Sequence, residues 1–250
     1  GLEDYNGDSS KEDANKIEAS KFYKKAIEKD STEAMYQLSI MHDKGDHIKK
    51  DKRLSALLMK MAADKGHVES MFKLVCIFKK GDEIPVDMKQ SIYYFKKAAD
   101  NGDVQSMLKL GYIFQNGIGG IPIDMEQSVH YYKLAADKDD ISSMLMLGNI
   151  FEKGVGIPID MEQSVHYYKM AADKGDVTSM FILGQIFKDG AGVPVDIELS
   201  AHYYKMAADN GNEASMIEYG IYLYKGLGVE QNKEEGIRYL KMAADTGDLD

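Results

Sequence analysis

One cysteine, four prolines and no tryptophan occur among 250 residues, and these shortages already narrow the reading. Cys76 alone can form no intramolecular disulfide and no thiolate zinc cluster. No asparagine begins an Asn-x-Ser/Thr acceptor. Both absences fit a reducing compartment, so a cytoplasmic location is expected. No run of about 18 apolar residues occurs, which argues against a membrane-spanning helix. The first twenty residues hold acids with only Lys11 and Lys16 among them, unlike a signal peptide, although a chain opening on Gly1 could have lost a leader. Positive charge is also short. A net charge of −10 and a pI near 5.1 argue against a general nucleic-acid binder, because phosphate neutralisation needs excess Lys and Arg, and leave room only for a local basic stripe.

What is present favours a folded helical chain. Hydrophobic residues make up 44% and charged residues 29%, too apolar for disorder. Abundant Ala, Met, Leu, Lys and Glu prefer helix to strand. The triplet Ala-Ala-Asp returns at Ala62, Ala98, Ala135, Ala171, Ala207 and Ala243, with a degenerate copy at Ala26, in steps of 36 residues and one of 37. The long step comes from a loop, since Gly117-Ile-Gly-Gly-Ile-Pro122 stands where Gly154-Val-Gly-Ile-Pro158 stands one repeat later. A loop absorbs one residue cheaply.

Each unit reads as two helices. In the first, helix A, Ser106, Met107, Leu110, Ile113 and Phe114 share one arc at 100° per residue and form a buried stripe. Gly111, Gly148, Gly184 and Gly220 lie inside helix A, where glycine costs about 1 kcal/mol relative to alanine, so a close helix-to-helix approach is expected there. Helix B starts at Asp124, Asp160 or Asp196 as N-cap, with Gln127 and Gln163 placed for a capping box. Met125, Val129, Tyr132 and Ala136 form its buried face, and Lys174-Gly175 or Asn210-Gly211 ends it. Two short helices cannot bury these faces alone, so stability should come from stacked repeats.

The string Ser-x-x-x-Leu-Gly-x-x-Phe-x-x-Gly-x-Gly, then Asp-x-x-x-Ser-x-x-Tyr-Tyr-Lys-x-Ala-Ala-Asp-x-Gly, resembles the Sel1-like repeat, a relative of the tetratricopeptide repeat. The resemblance covers about residues 14–248. Ser39 and Val75 depart from it at the helix A glycine and Tyr219 at the leucine. It implies an all-α, right-handed α/α superhelix of about thirteen helices, with helix A on the concave and helix B on the convex side. The expected layout is a flexible acidic segment at 1–13, a half repeat at 14–30, and helix pairs at 31–66, 67–102, 103–139, 140–175, 176–211 and 212–247. It also implies an adaptor that binds protein rather than an enzyme. The alternative within the family is a small-molecule binder or a β-lactam or cell-wall hydrolase; the cysteine-rich relatives that bind β-lactams pin each repeat with disulfides this chain cannot make.

The residues that could carry chemistry do not assemble into a reactive set. His130, His166 and His202 each follow Glu126, Glu162 or Glu198 by four residues, but repeats about 10 Å apart cannot bring such pairs within about 2.1 Å of one zinc ion, so exposed helix contacts are expected and no metal. The loop at Gly117 lacks the Lys-Ser/Thr of a phosphate loop. Asp4-Tyr-Asn-Gly-Asp8 lacks the order of a calcium loop. Cys76 has no histidine partner by repeat position and is expected to be partly buried. No catalytic residues and no cofactor are therefore expected.

The outward positions of helix A change between copies while the framework does not. They include Lys44, Lys73, Lys80, Lys109, Tyr112, Met146, Asn149, Ile182 and Gln185. A groove fitted to one partner gives this pattern, and so does drift on a solvated face. Lysines, an aromatic platform and side-chain amides suit an extended acidic segment or a chain-terminal carboxylate. Tyr239, Leu240 and Met242, with no following helix A in the sequence, are expected to lack cover and to favour a longer array or association through that end.

Overall fold

The computed structural model describes residues 18–46, 48–80 and 87–247, with the side chains of Phe72, Val75, Phe78, Lys79 and Lys80 excepted. The proposed acidic segment at 1–13 and the Asp4–Asp8 motif lie outside the described residues. Thirteen α-helices and no strand occur among the described residues. They are α1 (18–27), α2 (Thr32–Lys44), α3 (Lys52–Asp64), α4 (Val68–Lys80), α5 (Met88–Asp100), α6 (Val104–Asn116), α7 (Met125–Ala136), α8 (Ile141–Lys153), α9 (Met161–Asp173), α10 (Val177–Asp189), α11 (Ile197–Asp209), α12 (Glu213–Lys225) and α13 (Lys233–Gly247). Even-numbered helices are helix A and odd-numbered ones helix B, as the periodicity predicts. The chain divides at Asp124/Met125 into two compact units. Within the first, α2 to α6 pack in sequential pairs, and within the second α7 to α13 do the same. No described helix is long and apolar enough to cross a membrane.

The helix starts follow from one capping chemistry. Asp51, Asp87, Asp160 and Asp196 are extended residues whose carboxylates accept the N–H three residues on at 2.9–3.0 Å. The reciprocal half of the capping box is not made at Gln163. The Asp160 N–H already donates to the Phe151 carbonyl at 2.9 Å, leaving the glutamine amide nothing to satisfy. That bond recurs, from Asp196 to Phe187 and from Asn232 to Leu223, both at 2.9 Å, and it ties each helix B start to the end of its helix A.

The expected close approach is made by tyrosine rings. An ideal Cβ on Gly148 would lie 2.6 Å from the Tyr168 ring, and one on Gly184 would lie 2.6 Å from Tyr204. Beside these contacts Ser164 and Ser200 of helix B donate their hydroxyls to the carbonyls of Gly148 and Gly184 at 2.9 and 2.8 Å. In the last pair Gly236 replaces that serine, and Gly220 and Gly236 meet backbone to backbone. Next to this seam Phe151 stacks on Tyr167 and Phe187 on Tyr203, while Lys133 and Lys169 of the preceding helix B lie 5.5 and 5.3 Å above the same phenylalanine rings. Repeats are thus joined by apolar burial with cation–π contacts at the margin.

After helix B the chain reverses through a left-handed residue. Gly66, Gly102, Gly175 and Gly211 take this position with φ of 88–97°, but Asp30 and Asp139 hold it with φ of 65° and 64°. Each aspartate pairs with a lysine one repeat later, Asp30 with Lys65 at 3.1 Å and Asp139 with Lys174 at 2.7 Å. The left-handed conformation costs an L-residue roughly 1–2 kcal/mol, less for aspartate, and an exposed ion pair returns at most about 1 kcal/mol. Asp139→Gly is therefore expected to stabilise the protein by about 0.5 kcal/mol, and Asp139→Ala to destabilise it by about 1 kcal/mol. Urea midpoints of the two variants check the opposite signs.

Candidate functional site

Helix A is presented in the same phase each time. Its N-cap is Asp103, Asp140, Asp176 or Asn212, whose side-chain oxygen accepts the N–H of Ser106, Ser143, Ser179 or Ser215 at 2.6–2.8 Å. After thirteen helical residues it ends at a left-handed glycine, Gly117, Gly154, Gly190 or Gly226. With both ends fixed, Leu110, Leu147 and Leu183 are fully buried. The sixth and ninth residues after Asp103, Asp140 and Asp176 are Lys109 and Tyr112, Met146 and Asn149, and Ile182 and Gln185, among the variable ones named above.

The nine expected site residues fall into two sets. In the first unit Lys44, Lys73, Lys109 and Tyr112 lie exposed on α2, α4 and α6, whereas the side chain of Lys80 lies outside those described. In the second unit Met146, Asn149 and Gln185 are exposed on α8 and α10. Ile182 departs from expectation, being half-buried against the cluster formed by Leu183, Ile186 and Tyr203. Its branched side chain serves the core as much as the surface.

Other expectations change as well. Cys76 is exposed, at the repeat position that Tyr112 and Asn149 occupy on later copies. His130, His166 and His202 are exposed, yet instead of contacting the glutamates four residues earlier each ring lies edge-on to the next residue, Tyr131, Tyr167 or Tyr203, at 5.0–5.2 Å. Tyr239 is only 4% exposed. It does not lack cover, because Tyr219 packs against it edge-on at 5.0 Å and its hydroxyl donates to Asp209 at 2.6 Å. Met242 is exposed as expected.

Two polar clusters on helix A escaped sequence reading. Lys188 on α10 donates to both carboxylate oxygens of Glu218 on α12 at 2.8 and 2.9 Å, and this bond holds the ammonium charged above the ordinary lysine range. Glu218 occupies the position of Met146 and Ile182, so that variable site is closed by a pair in the last copy. In the first unit His67 replaces the usual N-cap aspartate of α4. Its Nδ1 accepts the Ser70 N–H at 3.2 Å and its Nε2 faces Glu33 at 3.2 Å. Hydrogen bonds from Gln37 and then His67 hold the Glu33 carboxyl below the usual range. Partners 30 or more residues apart give no local signal, though the repeat register would have placed Lys188 and Glu218 on successive copies of helix A.

Among the described residues no three His, Cys, Asp or Glu side chains come together as a metal site would require. What the arrangement offers is a series of identically phased helices carrying changeable outward side chains.

Comparison with known proteins agrees with this architecture. The family described as Sel1 repeat matches residues 4–31, 32–67, 68–103, 104–140, 141–176, 177–212 and 214–248. Among solved structures, the chain is similar to c5321, a protective antigen of uropathogenic Escherichia coli with an SLR fold, at 26% identity and a TM-score of 0.66, over 91% of this chain and 49% of that one. It is also similar to a Sel1 repeat protein from Oxalobacter formigenes, at 25% identity and a TM-score of 0.55, over 88% of this chain and 63% of that one. The chain thus spans about half the length of the first relative and under two thirds of the second. No curated protein matches.

Proposed function

The chain belongs to the Sel1 repeat family, and on that premise we propose that it is a non-catalytic scaffold that holds a peptide or protein segment on the outward faces of its A helices. One observation carries the reading. Framework positions repeat and are buried, while the sixth residue after each helix A cap reads Gln37, Lys73, Lys109, Met146, Ile182 and Glu218. A framework repeated within one chain around a changing outward position is how a repeat protein acquires specificity for a partner without loss of stability. On α4 and α6 of the first unit that position is basic, with Tyr112 beside Lys109 on α6, which suits an acidic segment or a terminal carboxylate.

Affinity capture with the intact chain, followed by mass spectrometry, tests the reading when run beside a charge-reversed variant. Lys73→Glu with Lys109→Glu is expected to lower capture of the partner at least tenfold and to leave helicity and melting temperature nearly unchanged, since surface substitutions shift stability within about 0.5 kcal/mol. Capture should also weaken as salt rises. Undiminished capture by the double variant, with loss on His166→Glu, would move the site to helix B.

A further inference from the structure

The outer face of helix B in the first unit is unlike that of its later copies. On α3, Leu54, Leu57 and Met61 follow one another at helical spacing on the side away from the buried Leu58, Met59 and Ala62, and they are 36%, 53% and 39% exposed. On α5, Tyr93 takes the position of Leu57 and is 49% exposed. A depression lined by Lys60, Asp64, Gln90, Tyr93, Tyr94 and Lys97 joins the two helices. Later copies carry His130, His166 and His202 at the position of Leu57 and Tyr93.

Charge changes with it. The second residue after the cap is Arg53 on α3 and Lys89 on α5, both exposed, and becomes Glu126, Glu162 and Glu198 on α7, α9 and α11. The first-unit face is therefore apolar along α3 and at Tyr93 of α5, where Gln90 and Lys97 stand at the positions of Leu54 and Met61, and it is basic at the start of both helices, in a chain of net charge −10. At its far end Asp64 accepts from Lys60 at 3.1 Å and from the Tyr94 hydroxyl at 3.3 Å, and Lys97 reaches the Asp64 carbonyl at 3.1 Å.

We propose that this face docks an amphipathic helix of a partner protein, with apolar side chains at i, i+3 and i+7 set along Leu54, Leu57, Met61 and Tyr93 and acidic residues near the end that meets Arg53 and Lys89. Helix-in-groove docking uses such spacing, and opposite charge at one end fixes its direction. An anionic bilayer fits less well. Asp64 and Asp100 close the far ends of the two helices with like charge.

Selection of a displayed library of helical peptides against the intact chain tests this directly. Enriched peptides are expected to carry the i, i+3, i+7 apolar pattern with Asp or Glu near one end. Leu57→Asp with Met61→Asp should weaken a synthesised winner at least tenfold by fluorescence anisotropy, and Arg53→Glu with Lys89→Glu several-fold. Lys73→Glu with Lys109→Glu should leave it unchanged, which separates this surface from the one on helix A. Circular dichroism confirms that each variant is folded. The proposal fails if the winners lack acids, or if the Leu57/Met61 variant binds them equally. It fails also if the chain sediments with phosphatidylserine vesicles through this face, or if the same variant abolishes a concentration-dependent dimer of the wild-type chain.

Discussion

Gly184→Val is expected to destabilise the protein by about 3 kcal/mol and to lower its melting temperature by roughly 6–12 °C. The position lies within α10, where an ordinary side chain would improve helix propensity by up to about 1 kcal/mol, so propensity alone predicts a gain. Packing reverses the sign. A Cβ would stand 2.6 Å from the Tyr204 ring, and Tyr204 is held in place by Phe181, by Tyr222 edge-on at 5.7 Å, and by near-complete burial. Gly184→Ala should lose about 1–2 kcal/mol for the same reason. Gly175→Ala is the control: nothing lies within 4 Å of its Cβ, and only the φ of +91° opposes it, at a cost of about 1 kcal/mol. A double-mutant cycle of Gly184→Ala with Tyr204→Leu should show coupling above about 0.5 kcal/mol, as two groups competing for one space do. A stabilised Gly184→Ala would show that the ring moves aside freely.

Stability is expected to fall steeply above pH 10. Burial, then the hydrogen bond to Glu152, raises the Tyr168 phenol above the ordinary tyrosine value. Burial and the charge on Glu218 raise Tyr204, and burial and the bond to Asp209 raise Tyr239. A phenol whose proton is held more tightly when folded contributes its full stability below about pH 10, where the unfolded chain is also protonated. That contribution is lost as pH rises toward the folded value, because the unfolded chain then sheds protons that the folded chain keeps. Each of the three should contribute a slope on the order of 1 kcal/mol per pH unit. Urea midpoints at pH 9, 10 and 11 read the slope. Absorbance at 295 nm should show these phenols ionising together with unfolding, and Tyr168→Phe with Tyr204→Phe should flatten the dependence. A midpoint constant from pH 9 to 11 would contradict the assignment.

The architecture was legible because each repeat writes it again. Leu110, Leu147 and Leu183 recur in register and are buried, and the recurring aspartates before helix B cap it as their spacing implies. The helix A glycines announced a close approach, but not that a ring from the same repeat would fill it, since Tyr168 lies twenty residues from Gly148. The second caps, Asp140 and Asp176, carry no capping-box partner, so their role emerged only from the hydrogen bonds. Surface roles were less legible. Exposure of Tyr112 followed from the arc, whereas the half-burial of Ile182 and the pairing of Glu218 depend on the neighbouring repeat. One helix wheel does not contain that neighbour.

The bond that ties each helix B start to its helix A spans nine residues at Asp160 and Asp196 and ten at Asp124, whose N–H still reaches the Phe114 carbonyl at 2.8 Å. Between those anchors the additional residue is taken up in the 3-10 turn Ile118–Gly120, and nothing lies within 4 Å of a Cβ on Gly120. Length and register are thereby uncoupled at this loop. An epitope or a reporter domain grafted between Gly119 and Gly120 would hang from two fixed posts, which makes the loop a natural cassette port for building on this chain without disturbing its helices.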